Sequence, residues 1–504
     1  MTSFDWKKAL WVAAFIGSAI AHGHHDEPSE EDTLAPVDTI LWIHMALQAG
    51  VWGVLFPIGM VLGLSKSRWH VPVQATGFLL TIGGYILGHS HKGRQFPPGA
   101  HGKFANILII PILAQLVIGI YLKLHIHEQS IRPYVVKIHS VIGKSYPILA
   151  WTQMLFGAIA FQGYCRGGNL GQCLAHYIMG SGFIAYAVIM SIIFLVGENW
   201  VRRSGKSPEF WDSWCVWSFT LGLRKLMSFL ASSRHGELVR HSELNTFTEH
   251  HGGAWSVKDM QHTILGVLWW TGGILGIFLS RNNQRNVVPA VILILTGWGM
   301  SSHAQALQIS TMVHGMFGKT LMLAGATRIV EVVILPLASD SASDHTLHEG
   351  SQSSQERSPQ TAASIAFRHT TPFLMVASGL LFMSATDEEM RFIHGKEMDH
   401  VTYILIIFST AFLIYAFIVF LINLWATSGK NAPSVSGVKL PATGIDGMEY
   451  EMEASGPGTP RWYARVPNAE HDPVASRSKQ TEPLHVVGDD DEDDDARETF
   501  AARH

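Results

Sequence analysis

FANILIIPILAQLVIGIYLK, residues 104–123, carries no charged side chain before its last position. About 20 mostly apolar residues are what a helix needs to cross the hydrocarbon core of a bilayer. Working outward, comparable stretches fall at about 38–63, 71–88, 141–161, 174–198, 262–280, 287–302, 314–337, 370–385 and 401–425. The chain is 47% hydrophobic and only 15% charged, which excludes an ordinary soluble enzyme. The expected fold is all-α: a polytopic membrane helical bundle of about ten spans, arranged in two related blocks. Nothing in it resembles a phosphate-binding glycine loop, a hydrolase triad or a nucleic-acid surface.

Each of the first four spans is entered by a histidine: His44, His70, His101 and His139. Helices crossing up and down alternate in direction, so His44 and His101 share one membrane face while His70 and His139 share the other. An imidazole inside a membrane is costly and faces the bundle interior in a functional role. Two facing imidazoles at each surface suit two haem b groups with both axial positions filled, an arrangement for electron transfer rather than oxygen chemistry. Gly83, Gly84, Gly88 and Gly119 are small residues placed to admit a macrocycle. With a core about 30 Å thick, the two irons would sit on the order of 20 Å apart.

His44 with Trp52, Pro57-Ile-Gly59, His70 with Gln74, His101-Gly-Lys, and His139-Ser-Val-Ile-Gly143 with Gln153 resemble the four-histidine core of the cytochrome b-561 family, over roughly residues 38–162. That resemblance implies a bundle holding two haems, pairs His44 with His101 and His70 with His139, and implies electron movement across a membrane from a small donor such as ascorbate to monodehydroascorbate or a ferric acceptor. The whole chain more closely resembles the fungal Ytp (yeast putative transmembrane protein) family, through Trp255-Ser-Val-Lys-Asp-Met-Gln-His262, Leu268-Trp-Trp270, Thr296-Gly-Trp-Gly-Met300 and Arg328-Ile-Val-Glu331. It departs from that pattern between Trp217 and Asn245, where about 27 residues interrupt one segment, as a mis-assigned exon boundary across 218–244 would.

Lys7 and Lys8 ahead of the apolar run Ala9–Ala21 have the form of a secretory signal over 1–21, so the expected location is an endomembrane, vacuolar or plasma membrane. A mature chain starting His22-Gly-His24-His25 would offer a Cu²⁺ chelate. Residues 22–198 then form the four-histidine domain, 199–254 a cytoplasmic or interfacial connector, 255–425 the second block, and 426–504 a disordered tail with the acidic run Asp489–Asp495. Lys and Arg are concentrated in the loops that an external amino terminus places inside. Cys165 and Cys173 flank one short loop on the oxidising side and suit a disulfide, with Cys215 a free thiol. The apolar but short segment 210–223 suits the membrane interface, or a span that would exchange the sides of everything after it.

The second block echoes the first. His262, Pro289, the Gly-rich run Thr296–Met300, His303 and His314-Gly-Met-Phe follow the order of His44, Pro72, Ile82–Gly88, His91 and His101-Gly-Lys-Phe. Val287 stands where the first copy has His70, so His369, the counterpart of His139, lacks a partner and this block can hold one haem at most. His262, His303 and His314, with Glu249, His250, His251 and Asp259 close to the first of them, are candidate ligands for Zn²⁺, Cu²⁺ or Fe. They support an alternative reading, a metal-binding membrane transporter or scaffold without haem. Arg328 and Glu331, three apart on a helix, suit an internal ion pair. The expected partner is the lipid bilayer, with a homodimer left open.

Overall fold

The computed structural model describes residues 28–218, 257–302, 305–333 and 359–432. The leader and His22–His25, the segment containing Glu249–His251, His303 and the acidic tail lie outside the described residues. The chain divides into a unit Met1–Gly429, which holds the helical structure below, and a unit Lys430–His504.

Eleven long or packed helices are described: α1 (Thr39–Leu64), α2 (His70–Ser90), α3 (Ala100–Lys123), α4 (Arg132–Gln162), α5 (Leu170–Leu195), α6 (208–218), α7 (Val257–Leu279), α8 (Val288–Ser301), α9 (Gln308–Val333), α10 (Pro359–Ser384) and α11 (His400–Thr427). No strand occurs among the described residues. By length and composition, α1, α2, α3, α5, α7 and α11 can each cross a membrane. α4, α9 and α10 match them in length at 31, 26 and 26 residues but carry more polar side chains. The rim is apolar: Ile110 and Ile148 are each 72% exposed, the pattern of a lipid-facing wall.

Local chemistry sets the helix ends. Asp38 caps α1 by accepting from the Leu41 backbone N–H at 3.0 Å, and Asp399 caps α11 by accepting from Val401 and Thr402. Gly163, with φ 74°, ends α4 in the left-handed conformation. The loop that follows holds the Cys165–Cys173 disulfide, with Cα atoms 5.2 Å apart, as its spacing suggests. The disulfide marks one end of the bundle. Just beyond α10, Glu388 and Glu389 reach that end, where they accept from the Cys165 N–H and the Tyr164 hydroxyl. At the opposite end Ser65, after α1, bonds Ser428, after α11, at 2.7 Å.

α5 packs in the core of the second block, through Phe183, Ala187, Met190 and Ile193. Small residues bring the helix backbones close there: a Cβ at Gly379 would lie 2.6 Å from the Gly180 carbonyl, and one at Gly325 the same distance from the Ala290 carbonyl. Such small-residue crossings are how helices associate in lipid. α6 does not lie across the bundle end as an interfacial helix would. It runs antiparallel along α7, with Ser213 against Gly276 and Trp217 against Gly273.

At the end opposite the disulfide, α6 begins in a buried charge cluster. Arg328 joins Glu331, as their spacing suggests, and also Glu209 and Asp212, both at 2.8 Å. Arg285 adds Glu209 at 2.9 Å and Glu331 at 3.2 Å, and Phe194 lies under the Arg328 guanidinium at 4.5 Å. Cys215 is a free thiol.

Candidate functional site

The four entry histidines come together in the pairs that helix direction dictates. The His44 and His101 ring centres are 6.4 Å apart and those of His70 and His139 6.2 Å, with ring planes at 86° and 88°. A metal between two imidazoles sits about 2.0 Å from each nitrogen. Adding roughly 1.1 Å from nitrogen to ring centre on each side gives about 6.2 Å when the two nitrogens face each other in line, and the ring-centre separations of both pairs are compatible with that spacing.

α1 and α2 supply one member of each pair and hold each other's imidazole. His44 on α1 donates from Nδ1 to the Gly84 carbonyl of α2 at 2.7 Å, and His70 on α2 donates from Nδ1 to the Gly59 carbonyl of α1 at 2.7 Å. One turn on, the partner helix has a second glycine on which the ring lies: a Cβ at Gly88 would meet His44 Cε1 at 2.6 Å, and one at Gly63 would meet His70 Nδ1 at 2.7 Å. One turn after each histidine comes a glutamine, Gln48 or Gln74, packed on Gly84 or Gly59. A Nδ1–H committed to a carbonyl fixes the tautomer and leaves the Nε2 lone pair for a metal, the usual support of a ligating histidine.

α3 and α4 hold the other members reciprocally, with glutamine in place of the carbonyl. Gln153 Nε2 donates to the His101 carbonyl at 3.1 Å and lies 3.1 Å from its Nδ1. Gln115 Nε2 donates to the His139 carbonyl at 3.1 Å and lies 3.4 Å from its Nε2. Here too a glycine one turn on faces the ring, Gly157 for His101 and Gly119 for His139.

Gln48 Oε1, Gln115 Oε1, Gln153 Oε1 and His139 Nδ1 are buried without a hydrogen-bond partner. Beside two imidazole pairs, these atoms make a donor and acceptor set whose chemistry fits a polar, metal-bearing group. Between the two ends, Trp52, Phe56 and Tyr146 meet with ring centres 4.9–6.2 Å apart, and the Tyr146 hydroxyl donates to the Pro111 carbonyl at 2.9 Å.

Of the sequence-predicted residues, His44, His101, His70 and His139 converge, and Gly84, Gly88 and Gly119 serve them. Gly83 does not, since nothing lies within 4 Å of the position its Cβ would take. Gln115, Gly59, Gly63 and Gly157 hold or face these side chains although sequence reasoning assigned them no such role. The signal that finds Gln115 is spacing: it stands fourteen residues after His101, as Gln153 does after His139.

The second-block histidines behave differently. His314 is buried and faces His176 of α5, an imidazole outside the predicted set, with ring centres 5.8 Å apart. Among the described residues, His262 and His314 join no three-member ligand cluster. Cys165, Cys173 and Glu388 do come within such a range, but the two sulfurs are bonded to each other. His369 lies 3.0 Å from the Tyr415 hydroxyl through Nδ1.

Fold and histidine geometry together define a polytopic, all-α integral membrane protein with four histidines paired among its first four helices. The chain belongs to the YTP1-like family, whose description "Protein YTP1-like, C-terminal" matches residues 149–426. A domain of unknown function, DUF2427, matches residues 24–125. The chain is similar to Protein YTP1 of Saccharomyces cerevisiae, 39% identical over 284 residues, covering 55% of this chain and 52% of that protein. It therefore spans about half the length of that relative. An uncharacterized membrane protein of Schizosaccharomyces pombe is 21% identical over 495 residues, covering 74% of this chain and 92% of its own. A second Saccharomyces cerevisiae membrane protein, also uncharacterized, is 26% identical over 265 residues, covering 45% and 38%. No solved structure matches the chain.

Proposed function

We propose that the first four helices form a b-type cytochrome module that carries electrons between the two faces of an endomembrane or the plasma membrane. The observation that carries this reading is the pair of facing imidazole sets, 6.4 and 6.2 Å between ring centres, at opposite ends of one bundle. His44 with His101 and His70 with His139 would hold two haem b groups, which when bound supply one-electron carriers.

The chain's own residues supply the rest. Gly84 and Gly59 orient His44 and His70 through their carbonyls, while Gln153 and Gln115 position His101 and His139. Gly88, Gly63, Gly157 and Gly119 leave room beside the rings. Trp52, Phe56 and Tyr146 close the middle of the cleft against water and bridge the two ends with aromatic carbon. A donor such as ascorbate on one side and an acceptor on the other complete the proposed activity.

The test is a reduced-minus-oxidised visible spectrum of the purified protein. A haem b signal, halved in His101→Ala and likewise in His139→Ala, supports the reading; a colourless, fully stable protein refutes it.

A further inference from the structure

The buried charge cluster where α6 begins is out of balance, and we propose that Asp212 balances it by binding a proton. The cluster is then a proton-binding site of the second block, independent of the haem reading. Among the described residues it sets three carboxylates, Glu209, Asp212 and Glu331, against two guanidiniums, Arg285 and Arg328. The Glu209 and Asp212 side chains are each 1% exposed, that of Arg328 3% and that of Glu331 6%. An uncompensated charge held away from water is so costly that a buried ionisable group gives up its charge instead.

The hydrogen bonds select the carboxyl that does so. Glu209 accepts from both arginines, Arg285 Nη2 at 2.9 Å and Arg328 Nη2 at 2.8 Å. Glu331 also takes both, Arg285 Nη2 at 3.2 Å and Arg328 Nη1. Asp212 takes one, Arg328 Nη2 at 2.8 Å on Oδ2, and its Oδ1 is buried with no hydrogen-bond partner among the described residues. The other titratable groups facing Asp212, the Tyr186 hydroxyl of α5 and the Cys215 thiol one turn on along α6, bring no positive charge. α7 passes there with Gly276 against Ser213. A proton on Oδ1 leaves two carboxylates to two guanidiniums, while Oδ2 keeps its bond from Arg328.

Losing that proton puts a net negative charge where α5, α6 and α9 meet. Folding takes the proton up wherever an unfolded aspartate is ionised, so stability falls as pH rises. For one proton the folded-to-unfolded ratio drops about tenfold per pH unit, until the site itself loses its proton. Asp212→Asn keeps the shape without the charge and lacks this dependence.

The experiment records infrared spectra of the purified full-length protein at about pH 6, where exposed aspartates are ionised, with and without ¹³C in the aspartate side-chain carboxyl. Expected is the carbonyl band of a protonated carboxylic acid that moves to lower frequency with the label, disappears in Asp212→Asn and fades as pH is raised. The wild-type melting temperature should also fall relative to Asp212→Asn from about pH 5 to about pH 8. No such band, a band that ignores the aspartate label, a band that survives in Asp212→Asn, or equal pH slopes of the two melting temperatures overturns the inference. Should Asp212→Asn fail to fold, the labelled wild type still decides, since Asp212 is the buried aspartate among the described residues.

Discussion

Gly88→Ala is the sharpest probe of the cleft, because a matched control stands five residues away on the same helix. A Cβ at Gly88 would lie 2.6 Å from His44 Cε1 and 2.7 Å from Nδ1, where carbon atoms at rest keep about 3.5 Å or more. The ring must withdraw by about 1 Å, which stretches its 2.7 Å bond to the Gly84 carbonyl past the useful range of about 3.2 Å. Overpacking costs about 1–3 kcal/mol and the lost bond about 1 kcal/mol, against about 1 kcal/mol gained by alanine over glycine in a helix. The net destabilisation is about 1–3 kcal/mol, together with loss of the haem component that the proposed function assigns to His44 and His101. At Gly83 nothing lies within 4 Å, so Gly83→Ala keeps only the helix gain of about 1 kcal/mol. The assay is thermal stability by fluorescence-detected size exclusion, with the haem b spectrum per chain in parallel. A Gly88→Ala protein as stable as Gly83→Ala, with an unaltered spectrum, refutes the reasoning.

Gln153→Leu removes the donor to the His101 carbonyl and should weaken the group at that end about 10–100-fold, a supporting partner's usual effect, leaving the His70 end unchanged in a redox titration. Arg328→Ala leaves Glu209, Asp212 and Glu331 facing Arg285 alone and should cost about 3–5 kcal/mol, read as loss of folded protein in detergent; Asp212→Asn removes the carboxylate in excess and should change stability by about 1 kcal/mol or less. Asp38 lies just outside α1, and its carboxyl is held below the ordinary range, first by the Lys92 backbone N–H and also by those of Leu41 and Gly93. Its contribution is full above the usual carboxylate pKa and lost as pH falls through the lowered value, so acid should expose the 91–95 loop to proteolysis, and Asp38→Asn should abolish that pH dependence.

The histidine pairs were legible from helix direction alone, because alternation along an antiparallel bundle leaves one pairing. The disulfide and the Arg328–Glu331 contact were legible for a similar reason, as both join residues close in sequence. What spacing within one segment cannot show is which distant helix completes a contact. His176 looked like one histidine among many, and its partner His314 lies four helices later. Asp212 lies in, and Glu209 just before, the short apolar segment that suited the interface, yet they neutralise arginines from α9 and the α7–α8 loop, which only tertiary packing reveals.

One spacing in the cleft departs from the rest, and the backbone accounts for it. Fourteen residues, four helical turns, separate His70 from Gly84, His101 from Gln115 and His139 from Gln153, so each histidine shares a helix face with the residue that holds an imidazole at the other end. From His44 to Gly59 the count is fifteen. In an unbroken α-helix that extra residue would turn Gly59 and Gly63 by about 100° away from His70. The chain absorbs it in a single π-helical turn, Val51–Leu55, which lies between the two sites and widens the helix by one residue. That turn also places Trp52 at the middle of the cleft against Tyr146. A wide turn inside a helix gives up good hydrogen-bond geometry, and π turns concentrate at functional sites. Here it restores the register in which α1 supplies His44 to one end and the carbonyl that orients His70 to the other, so the two pairs depend on each other's helices and form one built unit.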